Sequence, residues 1–259
     1  MPMHFIKYHV ANRIGTITLS RPEKRNALNA AVVEELKEAF TMAENDDGVK
    51  VIILKAQGDV FSAGADLSYL QQLQKNTFEE NLADSNNLAA LFNKIYTLKK
   101  VVIAQVQGSA IAGGCGLATV CDFTFATPNA QFGYTEVKIG FIPAIVMVFL
   151  LRKIGEGRSK ELLLTGKLID AGFAKSIGLI NDIYDKTTIE ETVLKFANEL
   201  CSSASESSLF FTKKMISEVQ NLPLAVALEH AATMNAEARA TDDCKKGIAA
   251  FLNKEKISW

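Results

Sequence analysis

One carboxylate and two turns of small residues are the places where this sequence could do chemistry. Glu136 stands in the stretch Gln131-Phe132-Gly133-Tyr134-Thr135-Glu136-Val137. A positioned carboxylate can take a proton from carbon or water and return it elsewhere, and two carboxylates hold and split water better than one. The first turn, Val60-Phe61-Ser62-Ala63-Gly64-Ala65-Asp66-Leu67, follows a predicted strand and offers small residues where a chain bends sharply and bares its backbone. The second, Gly108-Ser109-Ala110-Ile111-Ala112-Gly113-Gly114, follows the apolar run 101–106 and leads into a predicted helix at 115–120. A helix N-terminus there presents unpaired N–H groups and a positive dipole end to an anion. Two N–H donors aimed at one oxygen form an oxyanion hole, the device needed when a thioester carbonyl becomes an enolate. Taken singly, each signal is weak: a small-residue turn after a strand is most often only a turn, and a glutamate at a helix start is most often an exposed group favoured by the dipole. Neither turn has the spacing of GxGxxG or of a Lys-Ser/Thr phosphate loop, which disfavours a nicotinamide or ATP enzyme.

The elements that must position these residues alternate. Strand-like 14–19, helical 31–46, strand-like 51–56, helical 78–98 and strand-like 101–106 point to strands joined by helical crossovers. Val51-Ile52-Ile53-Leu54 and Val101-Val102-Ile103-Ala104 are continuous apolar runs, the pattern of strands covered on both faces. From about Lys186 the pattern is helical, over 188–200, 205–219, 223–240 and 243–253, and the break at 178–185 suggests a boundary between an α/β core, residues 1–185, and a helical region, 186–259. Leu209, Phe210, Met215 and Ile216 form an apolar stripe on that region that must bury against the core or a neighbouring subunit.

Composition excludes some classes. At 259 residues, 48% of them hydrophobic, the chain can bury one large core. A formal net charge of -1 supplies no basic field for phosphates, so nucleic acid is not an expected partner. Cys115, Cys121, Cys201 and Cys244 form no CxxC pair and no metal-ligand spacing with histidine, the usage of reduced, packed thiols, and the cytoplasm is the expected compartment. The longest apolar stretch, 139–151, is shorter than a membrane span and contains Gly140 and Pro143, so no membrane association is expected.

In their order along the chain, these motifs resemble the crotonase family, the enoyl-CoA hydratases and isomerases. Arg21-Pro22-Glu23-Lys24-Arg25-Asn26-Ala27-Leu28-Asn29 looks like the family's opening segment, and Phe61-Ser62-Ala63-Gly64-Ala65-Asp66-Leu67 like its CoA-binding turn. Gly113-Gly114-Cys115-Gly116-Leu117 with Cys121-Asp122-Phe123 is the third match; Phe132-Gly133, Glu136 and Gly140-Phe141-Ile142-Pro143 are the fourth. The resemblance implies an α/β crotonase fold of stacked ββα turns, with a C-terminal helical region that covers the site and supports a homotrimer or homohexamer. It implies that the Ala65 and Gly113 N–H groups hold the thioester oxygen, that Ala63 and the backbone of Ala65, Asp66, Leu67 and Ser68 meet CoA, and that Glu136 moves the proton. Lys24 and Arg25 are candidates for CoA phosphates and equally for solvated charges. Lys254 matches a basic tail position that reaches CoA phosphates in the family, sometimes across a subunit interface, while Asp66 is better read as a turn-stabilising side chain than as a base.

This chain departs from the family's two-glutamate hydratases at Gly116, where they carry the second acid. Glycine can neither orient the attacking water nor supply a proton. The family's isomerases work with a single glutamate at the Glu136 position, and the Ile142-Pro143-Ala144 run is similar to a hydratase branch acting on branched or glutaconyl-type thioesters, such as methylglutaconyl-CoA hydratases. A carboxylate on the substrate would then lessen the need for one on the protein. The expected activity is that of an enoyl-CoA hydratase-type lyase working through an enolate; the alternatives are a Δ3-Δ2-enoyl-CoA isomerase and a non-catalytic acyl-CoA-binding protein. No metal or redox cofactor is implied, because CoA arrives as part of the substrate. Tyr69, Leu70, Phe92, Met147 and Phe149 are candidates for the acyl pocket, though core packing is the commoner role for such residues.

Overall fold

The computed structural model describes residues 3–259. The chain opens with an antiparallel hairpin, β1 (Ile6–Ala11) and β2 (Ile14–Leu19), turned through Asn12 and Arg13, which both take the positive φ that a two-residue hairpin requires. Helix α1 (Ala30–Asn45) follows, its first turn capped by the Asn29 side chain, which accepts the Val32 N–H. A three-part unit then recurs: a long strand, a short strand and a helical segment. The first comprises β3 (Val51–Ala56), β4 (Val60–Ser62), α2 (Leu67–Leu73) and α3 (Phe78–Thr97); the second β5 (Val101–Val106), β6 (Ser109–Ile111) and α4 (Gly113–Thr119). The third is β7 (Phe123–Ala126), β8 (Gln131–Gly133), a 3-10 turn at Glu136–Ile139 and α5 (Ala144–Thr165), which is broken at Gly155. After β9 (Ile169–Asp170), α6 (Ala171–Ser176) and β10 (Asp182–Ile183), the chain ends in α7 (Ile189–Ser203), α8 (Glu206–Val219), α9 (Leu224–Ala240) and α10 (Asp242–Asn253).

Long strands assemble one sheet, in the order β1-β2-β3-β5-β7-β10, and short strands a second, β4-β6-β8-β9. Each unit therefore adds one strand to each sheet, which is the stacked ββα architecture that the crotonase resemblance implies. The large sheet is buried on both faces, as its apolar runs require. Alternate residues divide between two cores: Ile52, Leu54, Val102, Ala104 and Val106 face α1 and α3, whereas Val51, Ile53, Val101 and Ile103 face Ile189, Val193 and Ala197 of α7. The first helix of the C-terminal region thus packs directly on the sheet. Helix α8 touches α3 and β5, while α9 and α10 lie on α8 and on each other, leaving Leu224, Leu228, Phe251 and Leu252 exposed. Among the described residues no helix is long and apolar enough to cross a membrane.

Candidate active site

The three sequence motifs converge because β4, β6 and β8 are parallel neighbours: Ser62 pairs with Ala110, and Ile111 with Gly133. Their C-terminal ends release the Ala65 turn, the Gly113 turn and the Glu136 turn side by side. The first two are in contact. Gly64 has a φ of 86°, and a Cβ built there would lie 2.8 Å from the Ile111 carbonyl oxygen, 2.9 Å from the Ala112 Cβ and 3.4 Å from the Gly113 nitrogen, so only glycine permits this approach. Ala112 is itself held at φ 51°, ψ −124°, an unfavourable conformation for a residue with a Cβ, which turns the chain from β6 into α4.

That geometry leaves donors free. Leu28 and Ala65 form a parallel bridge in which the Leu28 N–H donates to the Gly64 carbonyl (2.7 Å) and the Asp66 N–H to the Leu28 carbonyl (2.9 Å). Both bonds bypass the Ala65 N–H. Gly113 is the first residue of α4, where N–H groups have no helical partner. Among the described residues no acceptor meets the N–H of Ala65 or Gly113. Two backbone donors without acceptors, at the ends of touching turns, are what an oxyanion hole needs.

Glu136 is 8% exposed, and among the described residues its Oε2 is buried with no hydrogen-bond partner. Burial pushes its carboxyl above the ordinary carboxylate range, opposed only by a bond from its own backbone N–H. An orphaned buried carboxylate oxygen is costly to keep and suits a group that exchanges protons with a bound molecule.

The other sequence-predicted residues fall into different roles. Asp66 is buried, pairs with Arg21 (2.7 Å), accepts the Ser68 hydroxyl (2.6 Å) and N–H (3.0 Å), and caps α2. Both carboxyl oxygens have partners, as those of a turn-stabilising side chain would. The N–H groups of Asp66 and Ser68 are also spent, so among the described residues the donors left without an acceptor at this turn are those of Ala65 and Leu67, the first residue of α2. Ala63 donates its N–H to the Arg25 carbonyl (3.0 Å), which lays the Lys24–Arg25 segment alongside the turn. The Lys24 and Arg25 side chains are exposed and have no ion-pair partner among the described residues. Leu67 and Ser68 are exposed at the start of α2.

Lys254 lies elsewhere in the chain. It ends α10, whose neighbours are α8 and α9, and the tail beyond it folds back so that the Trp259 N–H meets the Ser202 carbonyl and Arg13 meets the Trp259 carbonyl, at the β1–β2 turn. A single chain therefore brings Ala65, Gly113, Glu136, Lys24 and Arg25 towards one another but not Lys254.

Gly116, on α4, faces α5. A Cβ built there would lie 2.2 Å from Val146 Cγ1, 2.8 Å from Val146 Cβ and 3.0 Å from Phe92 Cε1. The space in which two-glutamate enzymes of the resembling family would place a side chain is filled by Val146. Residues not singled out in the sequence complete the frame. Asn26 is buried and donates to the Gln57 and Val60 carbonyls (both 2.8 Å), while its own carbonyl accepts the Ser62 hydroxyl (2.8 Å). Arg21 and Asn26 both stand in the opening motif beside the exposed charges of Lys24 and Arg25; the burial of Asn26 and the Arg21–Asp66 ion pair leave no trace in the local sequence pattern.

Comparison with known proteins gives the chain's family. The family described as enoyl-CoA hydratase/isomerase matches residues 9–259. A Thermus thermophilus protein assigned as an enoyl-CoA hydratase is 41% identical over 248 residues, covering 96% of each chain, and a crotonyl-CoA hydratase from Syntrophomonas wolfei is 32% identical over 257 residues, covering 95% of this chain and 94% of its own. The crystal structure of an enoyl-CoA hydratase from Shewanella pealeana superimposes with a TM-score of 0.94 at 29% identity, covering 99% of this chain and 96% of that one. These relatives are named for hydration rather than isomerisation, and they do not single out the glutaconyl branch. A match over nearly the whole chain and a relative 41% identical along nearly its full length show that the chain belongs to the enoyl-CoA hydratase/isomerase family.

Proposed function

We propose that the protein hydrates a 2-enoyl-CoA, with Glu136 carrying the proton in both halves of the reaction. As the oxygen of water bonds to the β-carbon, the Glu136 carboxylate takes one of its protons, the carbon–carbon double bond shifts and the thioester oxygen becomes an enolate oxygen. The Ala65 and Gly113 N–H groups hold that charge. Glu136, now a carboxylic acid, returns the proton to the α-carbon and is regenerated. The observation that carries this reading is the buried, unpartnered Oε2 of Glu136 at the end of β8, beside two turns with free N–H groups. Because burial raises its proton affinity, the acid form can persist long enough to deliver the proton. CoA enters with the substrate, along Ala63, Ala65, Asp66, Leu67 and Ser68, with its phosphates towards Lys24 and Arg25; no separate cofactor takes part.

Val146 favours a second reading. With the side-chain space of Gly116 closed, a single carboxylate could instead move a proton from C2 to C4 of a 3-enoyl-CoA, an isomerisation that needs no water. The experiment gives purified protein a linear 2-enoyl-CoA, a 3-enoyl-CoA and 3-methylglutaconyl-CoA and identifies the products. Hydration of the first is expected. A double-bond shift in the second without hydration of either other thioester would make the protein an isomerase. A kcat/KM for the glutaconyl thioester well above that for the linear one would assign it to the branched class; equal values would remove that assignment. We further infer a homo-oligomer, a trimer or hexamer, from the apolar side chains that α9 and α10 leave exposed, with Lys254 carried towards a neighbouring subunit. Light scattering showing a monomer would contradict this. Free cysteines, three of them buried, fit the reducing cytoplasm.

A further inference from the structure

We propose that Tyr134 is a positioning residue: its hydroxyl, bonded to Thr119, locks the turn that carries Glu136 to the helix that presents the Gly113 N–H. The inference rests on the function proposed above, since it concerns where the proton is held relative to the thioester oxygen.

Tyr134 lies two residues before Glu136 and is fully buried. Its hydroxyl is 2.7 Å from Thr119 Oγ1, at the last residue of α4. Thr119 Oγ1 donates to the Cys115 carbonyl (2.8 Å), so its single proton is committed and Tyr134 must be the donor between them. A second tie joins the two segments: the Ala112 N–H donates to the Gly133 carbonyl (2.7 Å). The pairing of β8 with β6 and β9 and the Gly133 bond all hold the segment before Tyr134, on the side where α4 begins. With Tyr134 anchored at the far end of α4, the segment is held at both ends of that helix, and its direction is set as well as its place.

Stability gives little reason for the hydroxyl. A phenylalanine would fill the same apolar space, and Thr119 would keep its bond to the Cys115 carbonyl, so the net stabilisation lost is small. Orientation is what remains for the bond to provide, and a misplacement of about 1 Å in such a constellation can cost about a hundredfold in rate.

The test compares Tyr134→Phe, Thr119→Val, Thr119→Ser and the double variant Tyr134→Phe/Thr119→Val, with Glu136→Gln as a control, on crotonyl-CoA. Tyr134→Phe and Thr119→Val should each lower kcat by about tenfold with KM nearly unchanged. Thr119→Val also removes the bond to the Cys115 carbonyl, so the double variant should lose no more than Thr119→Val alone, because the Tyr134–Thr119 bond is already broken there. Thr119→Ser should keep the wild-type kcat. In Tyr134→Phe the acid limb of the kcat profile should move to lower pH, as a loosened Glu136 gains water. A wild-type kcat and pH limb in Tyr134→Phe, with Glu136→Gln inactive, would overturn the inference and leave the function standing. So would a loss of activity that follows only the fraction of folded protein while the pH limb stays in place. Full activity in Glu136→Gln would remove the functional reading itself, and the positioning role with it.

Discussion

Asp66 and Glu136 follow two strands of the same small sheet, and both are nearly closed to solvent, at 5% and 8% exposure. Their carboxyls are nonetheless driven in opposite directions. Bonds from Ser68, with the Arg21 guanidinium beside it, hold Asp66 down at about 2, whereas burial without a counter-charge lifts Glu136. Depth is shared; partners are not. The fold gives both oxygens of Asp66 a partner and, among the described residues, leaves Oε2 of Glu136 with none, so one acid holds its own turn together while the other is available to a bound molecule.

Substitution can break this contrast. The largest effect falls on Glu136→Gln, which should lose about a thousandfold in kcat because an amide cannot accept the proton, while Asp66→Asn keeps most of its rate in the same steady-state assay. Gly116→Ala should cost about 2–3 kcal/mol in denaturant unfolding, since its methyl collides with Val146, and Val146→Ala in the same chain should recover most of that loss. If Gly116→Ala were neutral, the contact that excludes a second acid from the site would not exist. Asp66→Asn keeps a capping side chain but leaves Arg21 without its anion, and it should cost about 2 kcal/mol. Glu136→Gln, by contrast, should raise stability at neutral pH by about 1 kcal/mol, the usual return when a strained functional group is removed.

The signs of the pH dependence follow from the same contrast. Asp66 has a lowered pKa in the folded state, so its stabilisation is complete above the ordinary aspartate value of 3.8 and is lost as pH falls through about 2. Glu136 has a raised pKa, so the folded state favours its acid form, and that contribution disappears as pH rises through the raised value. For catalysis the carboxylate must be ionised to accept the first proton. The acid limb of kcat/KM should therefore lie above the ordinary glutamate value of 4.5.

Much of this arrangement could be read from residue patterns. The long strands at 14–19, 51–56 and 101–106 appear at those bounds because each is a run of at least four residues with one dominant pattern, and the four C-terminal helices lie within a few residues of the helical stretches. The short strands could not be read that way: β4, β6 and β8 have three residues each, too few to show a period. Their role was legible only as order, through glycine-rich turns recurring after apolar runs. Hairpin strand β1, with Lys7 and His9 exposed and Tyr8 half-buried between them, was not legible as a strand. Gly116 was legible as a missing acid, but the Val146 methyls that fill its place come from another helix and leave no local trace. The Tyr134–Thr119 bond joins residues fifteen apart and was equally hidden.

The most direct test of the central claim, that one carboxylate moves the proton, is hydration of crotonyl-CoA in deuterated water, with the product read by mass spectrometry and proton NMR. The wild-type enzyme should place one deuterium on the α-carbon, and Glu136→Gln should form almost no product while still binding the thioester. Product bearing α-deuterium at the wild-type rate from Glu136→Gln would contradict the account.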